Sequence, residues 1–451
     1  MKTQSIIKFL SLFIIALIIS CEQKEEKNHT IFDTKKFSKK SITEDLDQYV
    51  NFIKQTHPRI AYTADTQLLA TTVLDIRKKI KDSMQANEVW DLFASLNPIF
   101  NDAHIGLIGP ETMYQEYLSQ GGTKLPFSIK VKAGEIYIDQ VSALDGFKYR
   151  NYRILSINGL DSSDILSSLL PKMRGESNSL RELILSRRFP VFYTMYYGEH
   201  KTHELELMDE QQDIVHITIN SNNLEDTGSQ GPKEEHYDYE KINDSIAYLK
   251  IASFEVENKD IFKLFLDDSF NDIHSNRISN LILDIGENGG GARDLSDLLL
   301  DYLTTVRYTP TSKVEARVTD ENKSMIPGAK VGDVVTVPYP NWVQPKNEVP
   351  FFKGDVYVLV SEESYSQAIV FATIVQDFNL GKIVGEETAG KANQTGQVQR
   401  ISLDHTSFTV YCPIYIFHRA KVVDGNRGVI PDIEVPYSEA KEKTMSLIGK
   451  K

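Results

Sequence analysis

From Ser41 onward the apolar positions recur at helical spacing. Leu46, Tyr49, Val50 and Ile53 fall on one face of SITEDLDQYVNFI, and the same period continues in TTVLDIRKKI and NEVWDLFASLNPIF. SITEDL opens with Ser41 or Thr43 followed by acids, the arrangement of a capping box, which sets the helix start there. Residues 41–118 are therefore expected to form an N-terminal helical domain. After Gly121-Gly122 the period changes to two. LPFSIKV and EIYIDQV read as strands about the turn Ala133-Gly134, and YRILSINGL reads as a strand ending at Asn158-Gly159, a strong turn signal. A helix at DSSDILSSLL and strands at HELELM and DIVHITI complete a small α+β module over 119–225. Residues 221–240 are polar and turn-rich, which predicts a linker. From 226 to 440 the apolar strands IAYLKI, NLILDI, DVYVLV and KIVG alternate with the helices IFKLFLDDSF, ARDLSDLLLDYL and SQAIVFATIVQDF. That alternation predicts a layered α/β domain, with 441–451 as a C-terminal tail.

The first residues follow a different pattern. Lys2 and Lys8 precede an apolar run, Phe9 to Ile19, that is too short to span a bilayer and stops at Ser20-Cys21. Residues 1–20 read as a signal peptide. Ile18-Ile19-Ser20-Cys21 resembles the lipobox of bacterial lipoproteins, which implies lipidation of Cys21 and a membrane-anchored protein of the cell envelope. The plainer alternative is a cleaved signal with a chance cysteine. Residues 21–40 are polar and charged and are expected to act as a flexible tether.

Composition narrows the function classes. The formal net charge of −13 leaves no basic surplus to neutralise phosphates, so nucleic-acid binding is not expected. Cys21 and Cys412 are the two cysteines, so with Cys21 acylated neither a disulfide framework nor a cysteine-based zinc site can form. His200 and His203 lack a glutamate and a third ligand at metal spacing, and His405 and His418 have no evident partners.

Two segments of the last domain carry chemistry. In LILDIGENGGG an apolar strand runs into Gly289-Gly290-Gly291 just before a helix. Such a turn leaves backbone N–H groups open to an oxyanion or a phosphate, although a glycine turn alone is more often only a helix start. No Lys-Ser/Thr pair follows, so it is not a P-loop. Asp284, at the end of that strand, is expected to fix loop geometry. In VYVLVSEESYSQAIVFATIVQDF a strand again leads into a helix, with Ser366 at the junction and the small residues Ser364 and Ala368 two positions either side. This is the spacing of a nucleophile elbow, and the N–H of Gln367 points the same way, although a serine there is commonly just a helix N-cap. Lys391 follows Ser366 by 25 residues in a glycine-rich loop. A neutral, buried lysine can act as base toward a serine, while most lysines are solvated surface groups. Residues 307–350, rich in Pro, Thr and Lys, are expected to make a long excursion over the site.

Taken in order, these segments resemble the tail-specific, or C-terminal-processing, serine proteases. DIGENGGG is similar to the family's D-L-R-x-N-G-G-G. SYSQA is similar to the nucleophile segment, VGEETAGK to V-G-E-x-T-x-G-K, and NRGVIPDIEV to G-I-x-P-D-I-x-V. THPRIAY, with His57 and Pro58, and NDAHIGL, with His104, resemble segments that precede this catalytic domain. The resemblance covers most of the mature chain. It implies a crotonase/ClpP-like catalytic fold, shared with the tricorn core protease and the interphotoreceptor retinoid-binding proteins, and Ser366 as nucleophile.

For the general base the resemblance offers two residues. The tail-specific branch implies Lys391, slightly the better match by motif, with Gln394 one position from the glutamine that supports the lysine. The tricorn-like branch implies His104, where Ala103 replaces a serine. The family's arginine in the glycine motif is Gly286 here, and its glutamate three residues after the serine is Ile369. ILSING in the middle module resembles a PDZ strand and turn, which implies capture of polypeptide chain ends; with Asn151-Tyr152 in place of Gly-Asp, a structural α+β insert is the equal alternative.

The implied reaction is acyl transfer from a peptide or polypeptide to Ser366, with N–H groups of Gly290 or Gly291 and of Gln367 on the oxyanion and with no metal or organic cofactor. The rival readings are a ligand-binding protein on the same scaffold, and an esterase.

Overall fold

A computed structural model describes residues 30–141, 148–221, 237–255, 259–346, 351–421 and 427–449. The signal and lipobox residues, Cys21 among them, most of the linker, Asn426 and the last two residues of the tail lie outside these.

The core of the last domain is a six-stranded sheet in the order Tyr237–Lys241, Ile246–Ile251, Asn280–Asp284, Asp355–Val360, Lys382–Gly385, Ile433–Glu434. The first pair is antiparallel and the remaining pairs are parallel. The near-continuous apolar strands are explained by burial on both faces. Leu281, Leu283, Val356, Val358 and Val360 enter the core beneath the helices Lys259–Ser275, Arg293–Leu303 and Gln367–Asp377. Ile282, Tyr357 and Leu359 point the other way, under the helix Tyr437–Ile448. This is the period-two alternation of a strand, and each fully buried aliphatic side chain contributes roughly 1.5–3 kcal/mol. The mixed α/β architecture expected here is present.

A second sheet runs Val334–Pro338, Thr311–Arg317, Thr409–Arg419, Thr395–Ser402. Its first two strands lie within the segment expected as a long excursion. The alternation VVTVP pairs it antiparallel with Thr311–Arg317. A two-residue strand, Gly106–Leu107, joins this sheet through Val410 and Tyr411. The segment bearing His104 is thereby stitched to the later domain.

Residues 30–119 are largely helical, with Lys39–Thr56 the longest helix. That helix begins before the expected Ser41, because the Ser38 side chain caps it by accepting from Ser41 N. Residues 127–220 form an antiparallel sheet ordered Phe127–Lys132, Glu135–Val141, Arg153–Ile157, Thr202–Met208, Ile214–Asn220. Both expected turns are present, with Ala133-Gly134 and Asn158-Gly159 each at positive φ, as a tight hairpin of this twist requires. The helix Ser162–Leu169 matches the expectation. A twenty-residue helix, Asn178–Tyr197, was not anticipated. Its Glu182 carboxylate accepts from the N–H groups of Ala133 and Gly134, and so holds the first hairpin against the helix.

Candidate active site

Ser366 stands between the strand Asp355–Val360 and the helix Gln367–Asp377 with φ +52° and ψ −113°. A non-glycine residue is rarely found there, and such strain collects at functional positions. The surrounding turn holds the conformation. Ser361 Oγ donates to Gly286 O at 2.6 Å and Ser364 Oγ to Ile285 O at 2.8 Å. Tyr365 N donates to Asn288 O at 2.9 Å. Three bonds thus bind the serine turn to the glycine turn, and Ser366 itself stays partly open to solvent.

The glycine turn is shaped by close approach. A Cβ on Gly290 would lie 2.7 Å from Ser366 Cβ and 2.9 Å from Tyr365 O, and one on Gly291 would lie 2.2 Å from the carbonyl carbon of Phe254. Both residues also have strongly positive φ, +107° and +132°. Gly290 N, however, donates to Asn288 Oδ1 at 2.8 Å. Its proton is committed within the loop, which sets Gly290 aside from the two glycine amides considered for an oxyanion. The Gln367 side chain is anchored on Ser296 Oγ at 2.7 Å, at the start of the helix behind Ser366.

Asp284 accepts from Gly286 N at 2.8 Å and from the hydroxyls of Tyr248 and Tyr437. A Cβ on Gly286 would meet the Tyr437 ring at 2.1 Å. The C-terminal helix therefore fills the place of the family's arginine side chain. Ile369, where the family has a glutamate, is fully buried in the domain core.

Of the two candidate bases, His104 is the one at Ser366. Its Nε2 is 3.3 Å from Ser366 Oγ. Its Nδ1 faces three groups: Tyr365 Oη at 3.1 Å, Thr395 Oγ1 at 3.2 Å and Asp102 Oδ1 at 3.4 Å. Asp102 also accepts from His104 N at 2.8 Å and from Thr395 Oγ1 at 2.6 Å. Burial disfavours charge on Asp102, yet its hydrogen bonds and the nearby imidazole outweigh that and hold its pKa below the usual carboxylate value. The His104 ring stacks on Tyr365, with centroids 5.0 Å apart.

Lys391 is buried, and burial lowers its pKa against the pull of Asp102 and Glu176. Its Nζ sits 5.1 Å above the Tyr62 ring, and it makes no hydrogen bond to Ser366 among the described residues. Tyr62, from THPRIAY, donates to Asn393 O at 2.6 Å and so docks that segment on the lysine loop. His57 lies in the same region, and burial depresses its pKa to about 4. Gln394 Nε2 donates to Ser366 O at 3.0 Å, so it supports the serine's backbone rather than the lysine.

Glu176, Thr395 and the Tyr365 hydroxyl carry no signal of their own in the sequence. Glu176 accepts from Tyr365 Oη at 3.0 Å and from Ala103 N at 3.2 Å. Burial, and then the Asp102 charge, push its pKa up to about 8. Cys412 is fully buried. His203 pairs with Ser221 Oγ at 3.1 Å. No group of three or more metal-ligating side chains occurs among the described residues.

Solved structures share this architecture. Mature CPAF complexed with lactacystin aligns over 91% of this chain and 97% of its own, with 14% identity and a TM-score of 0.62. Mature CPAF alone aligns over 91% and 95%, with 14% identity and a TM-score of 0.61. At that identity the likeness speaks for the fold. Residues 245–435 match peptidase family S41, a span that holds the glycine turn, Ser366, Lys391 and Gln394. Over that span the last domain is similar to peptidase family S41.

Proposed function

We propose that this protein is a serine peptidase that hydrolyses peptides or polypeptides through an acyl-enzyme on Ser366, with His104 as general base. The reading rests on the contact between His104 Nε2 and Ser366 Oγ at 3.3 Å. His104 Nε2 takes the hydroxyl proton as Oγ bonds to the scissile carbonyl carbon. The carbonyl π pair moves to oxygen, where the amides of Gly291 and Gln367 receive it, each donor worth roughly 3 kcal/mol. The imidazolium returns its proton to the leaving amine as the C–N bond breaks. Water then cleaves the ester by the same route. Asp102 and Thr395 hold the ring and its Nδ1 proton. The steps balance without a metal or organic cofactor. Lys391 keeps a second reading alive through its burial and lowered pKa.

The proposal extends to organisation and place. We assign 1–20 to a lipoprotein signal, 119–225 to a PDZ-like module that presents chain ends and 226–440 to the catalytic domain. Of the expected tether 21–40, residues 30–40 instead join the helical domain, with Phe32 and Phe37 in its core. The expected tail 441–451 is instead largely the helix Tyr437–Ile448, packed on the catalytic sheet. Cys21 would be acylated and hold the protein at a membrane of the cell envelope. Among the described residues no helix is long and apolar enough to cross a membrane. Metabolic labelling with a palmitate analogue, lost in Cys21→Ala, tests the anchor.

A fluorophosphonate probe with peptide mapping tests the chemistry. The expected adduct is on Ser366, absent in Ser366→Ala and strongly slowed in His104→Ala. An unlabelled Ser366 in folded protein would favour the binding-protein reading.

A further inference from the structure

Three groups face His104 Nδ1, and they are not equivalent. For Nε2 to accept the Ser366 proton, Nδ1 must carry the ring's hydrogen and find acceptors. Asp102 is ionised and only accepts. The Thr395 hydroxyl proton is committed to Asp102 Oδ2 at 2.6 Å, so its oxygen also accepts. The hydroxyl of Tyr365 differs, because its proton has two places to go. It lies 3.1 Å from His104 Nδ1 and 3.0 Å from Glu176 Oε1. Glu176 lies 73 residues from Ala103 in sequence, between the middle module and its long helix, yet its other oxygen accepts from Ala103 N beside the imidazole.

Resting on the Ser366–His104 reading, we propose that Glu176 is a positioning residue that acts through Tyr365 to set which nitrogen of His104 bears the proton. With Glu176 ionised, Tyr365 donates to it and turns a lone pair toward Nδ1–H. The ring then keeps Nε2 free for Ser366. With Glu176 protonated, the carboxyl donates to Tyr365 Oη and the tyrosine proton is directed at Nδ1. A share of the rings then carries its hydrogen on Nε2, against the pull of Asp102 and Thr395, and cannot accept from the serine in that form.

No proton is gained or lost in this step except on Glu176, and Tyr365 itself stays protonated, because burial raises its pKa far above the usual phenol range. The charged and titratable groups about Glu176 are Asp102 and His104 on the loop before the Gly106–Leu107 strand, Tyr365 ahead of the Ser366 helix, Lys391 on its loop, and Arg174 and Arg181 flanking Glu176 itself. Burial and Asp102 dominate and favour the protonated carboxyl at neutral pH. Activity is thereby gated upward as pH rises.

The test uses the full chain with a fluorophosphonate probe, reading the second-order labelling rate at Ser366 across a pH range centred on about 8. Wild type is expected to show a rise near that pH. Glu176→Gln should lose that rise and label roughly tenfold slower on the alkaline side, a part of what a general base supplies. Tyr365→Phe, nearly isosteric, should lose it too, and the double variant should match Tyr365→Phe rather than add to it. Imidazole ¹⁵N shifts of His104, assigned by its loss in His104→Ala, should move toward the Nε2–H tautomer as pH falls in wild type and not in Tyr365→Phe.

A Glu176→Gln profile of unchanged shape, merely scaled, would overturn the proposal and leave Glu176 a structural carboxyl. A His104→Ala variant that labels as wild type would instead sink the underlying assignment of the base.

Discussion

The two halves of the cleft are built by different means. The nucleophile half is local: two strand-to-helix junctions of one parallel sheet lie side by side, and short hydrogen bonds from Ser361, Ser364 and Tyr365 tie them together. The base half is assembled from four distant stretches, which bring Asp102 with His104, Glu176, Tyr365 and Thr395 around one imidazole. A motif can encode the first half because its neighbours in space are near neighbours along the chain or in adjacent strands. The second half depends on the tertiary fold, through the pairing of Gly106–Leu107 with Val410 and Tyr411.

Replacing Ser366 removes the nucleophile and should have the largest effect. Ser366→Ala is expected to cost roughly 10⁴-fold or more in peptide hydrolysis while thermal stability changes little, since alanine meets the same positive φ and only the hydroxyl facing His104 is lost. Hydrolysis and melting measured on the same preparation check both parts. Next in size is the base. His104→Ala should lower kcat/KM by roughly 10²–10⁴, and Lys391→Met by far less, because its ammonium rests on Tyr62 and not on Ser366. The reverse ranking would restore the lysine and dissolve the contrast between the two halves.

That contrast also explains what the sequence could reveal. Ser366 was legible because small residues flank it where an apolar strand meets an apolar helix. Gly290 and Gly291 were legible as a glycine run, but their division of labour was not, since only the fold shows Asn288 taking the Gly290 proton. His104 was reachable through family resemblance alone. Glu176 was invisible, because a single acid after a glycine has no pattern, and its partners lie far away in the chain. The helix Asn178–Tyr197 was missed for a related reason. Pro190 lies inside it, and it buries residues around much of its circumference, so no clean apolar stripe marks the period. The segment 311–338 looked like loop from its Pro and Thr content, yet its valines alternate against a neighbouring strand.

A smaller effect sharpens the local half. Gly290→Ala adds a methyl 2.7 Å from Ser366 Cβ at a φ of +107°. It should slow labelling of Ser366 roughly tenfold to a hundredfold and cost about 1–3 kcal/mol in chemical denaturation. Gly286→Ala should cost stability too, because its methyl would press on the Tyr437 ring, but it should disturb labelling less, as the clash lies behind Asp284 rather than beside the serine.

The smallest expected effect belongs to the base half and reads stability instead of rate. Glu176 has an ordinary carboxyl pKa of 4.5 and one of about 8 in the folded chain. Between those values the unfolded chain releases the proton and the folded chain keeps it. Folding then binds a proton, so this group's contribution is fully present below 4.5 and is lost as pH rises through about 8. His57 works in the opposite sense, since its folded value of about 4 lies below 6.5, and its contribution is lost as pH falls through about 4. The melting temperature of wild type should therefore slope down toward alkaline pH by a few degrees. Glu176→Gln, which has no proton to release, should flatten that slope while leaving the acid-side fall intact. An unchanged alkaline slope would mean that Glu176 is ionised already at neutral pH, and that Tyr365 offers its lone pair to Nδ1–H throughout that range.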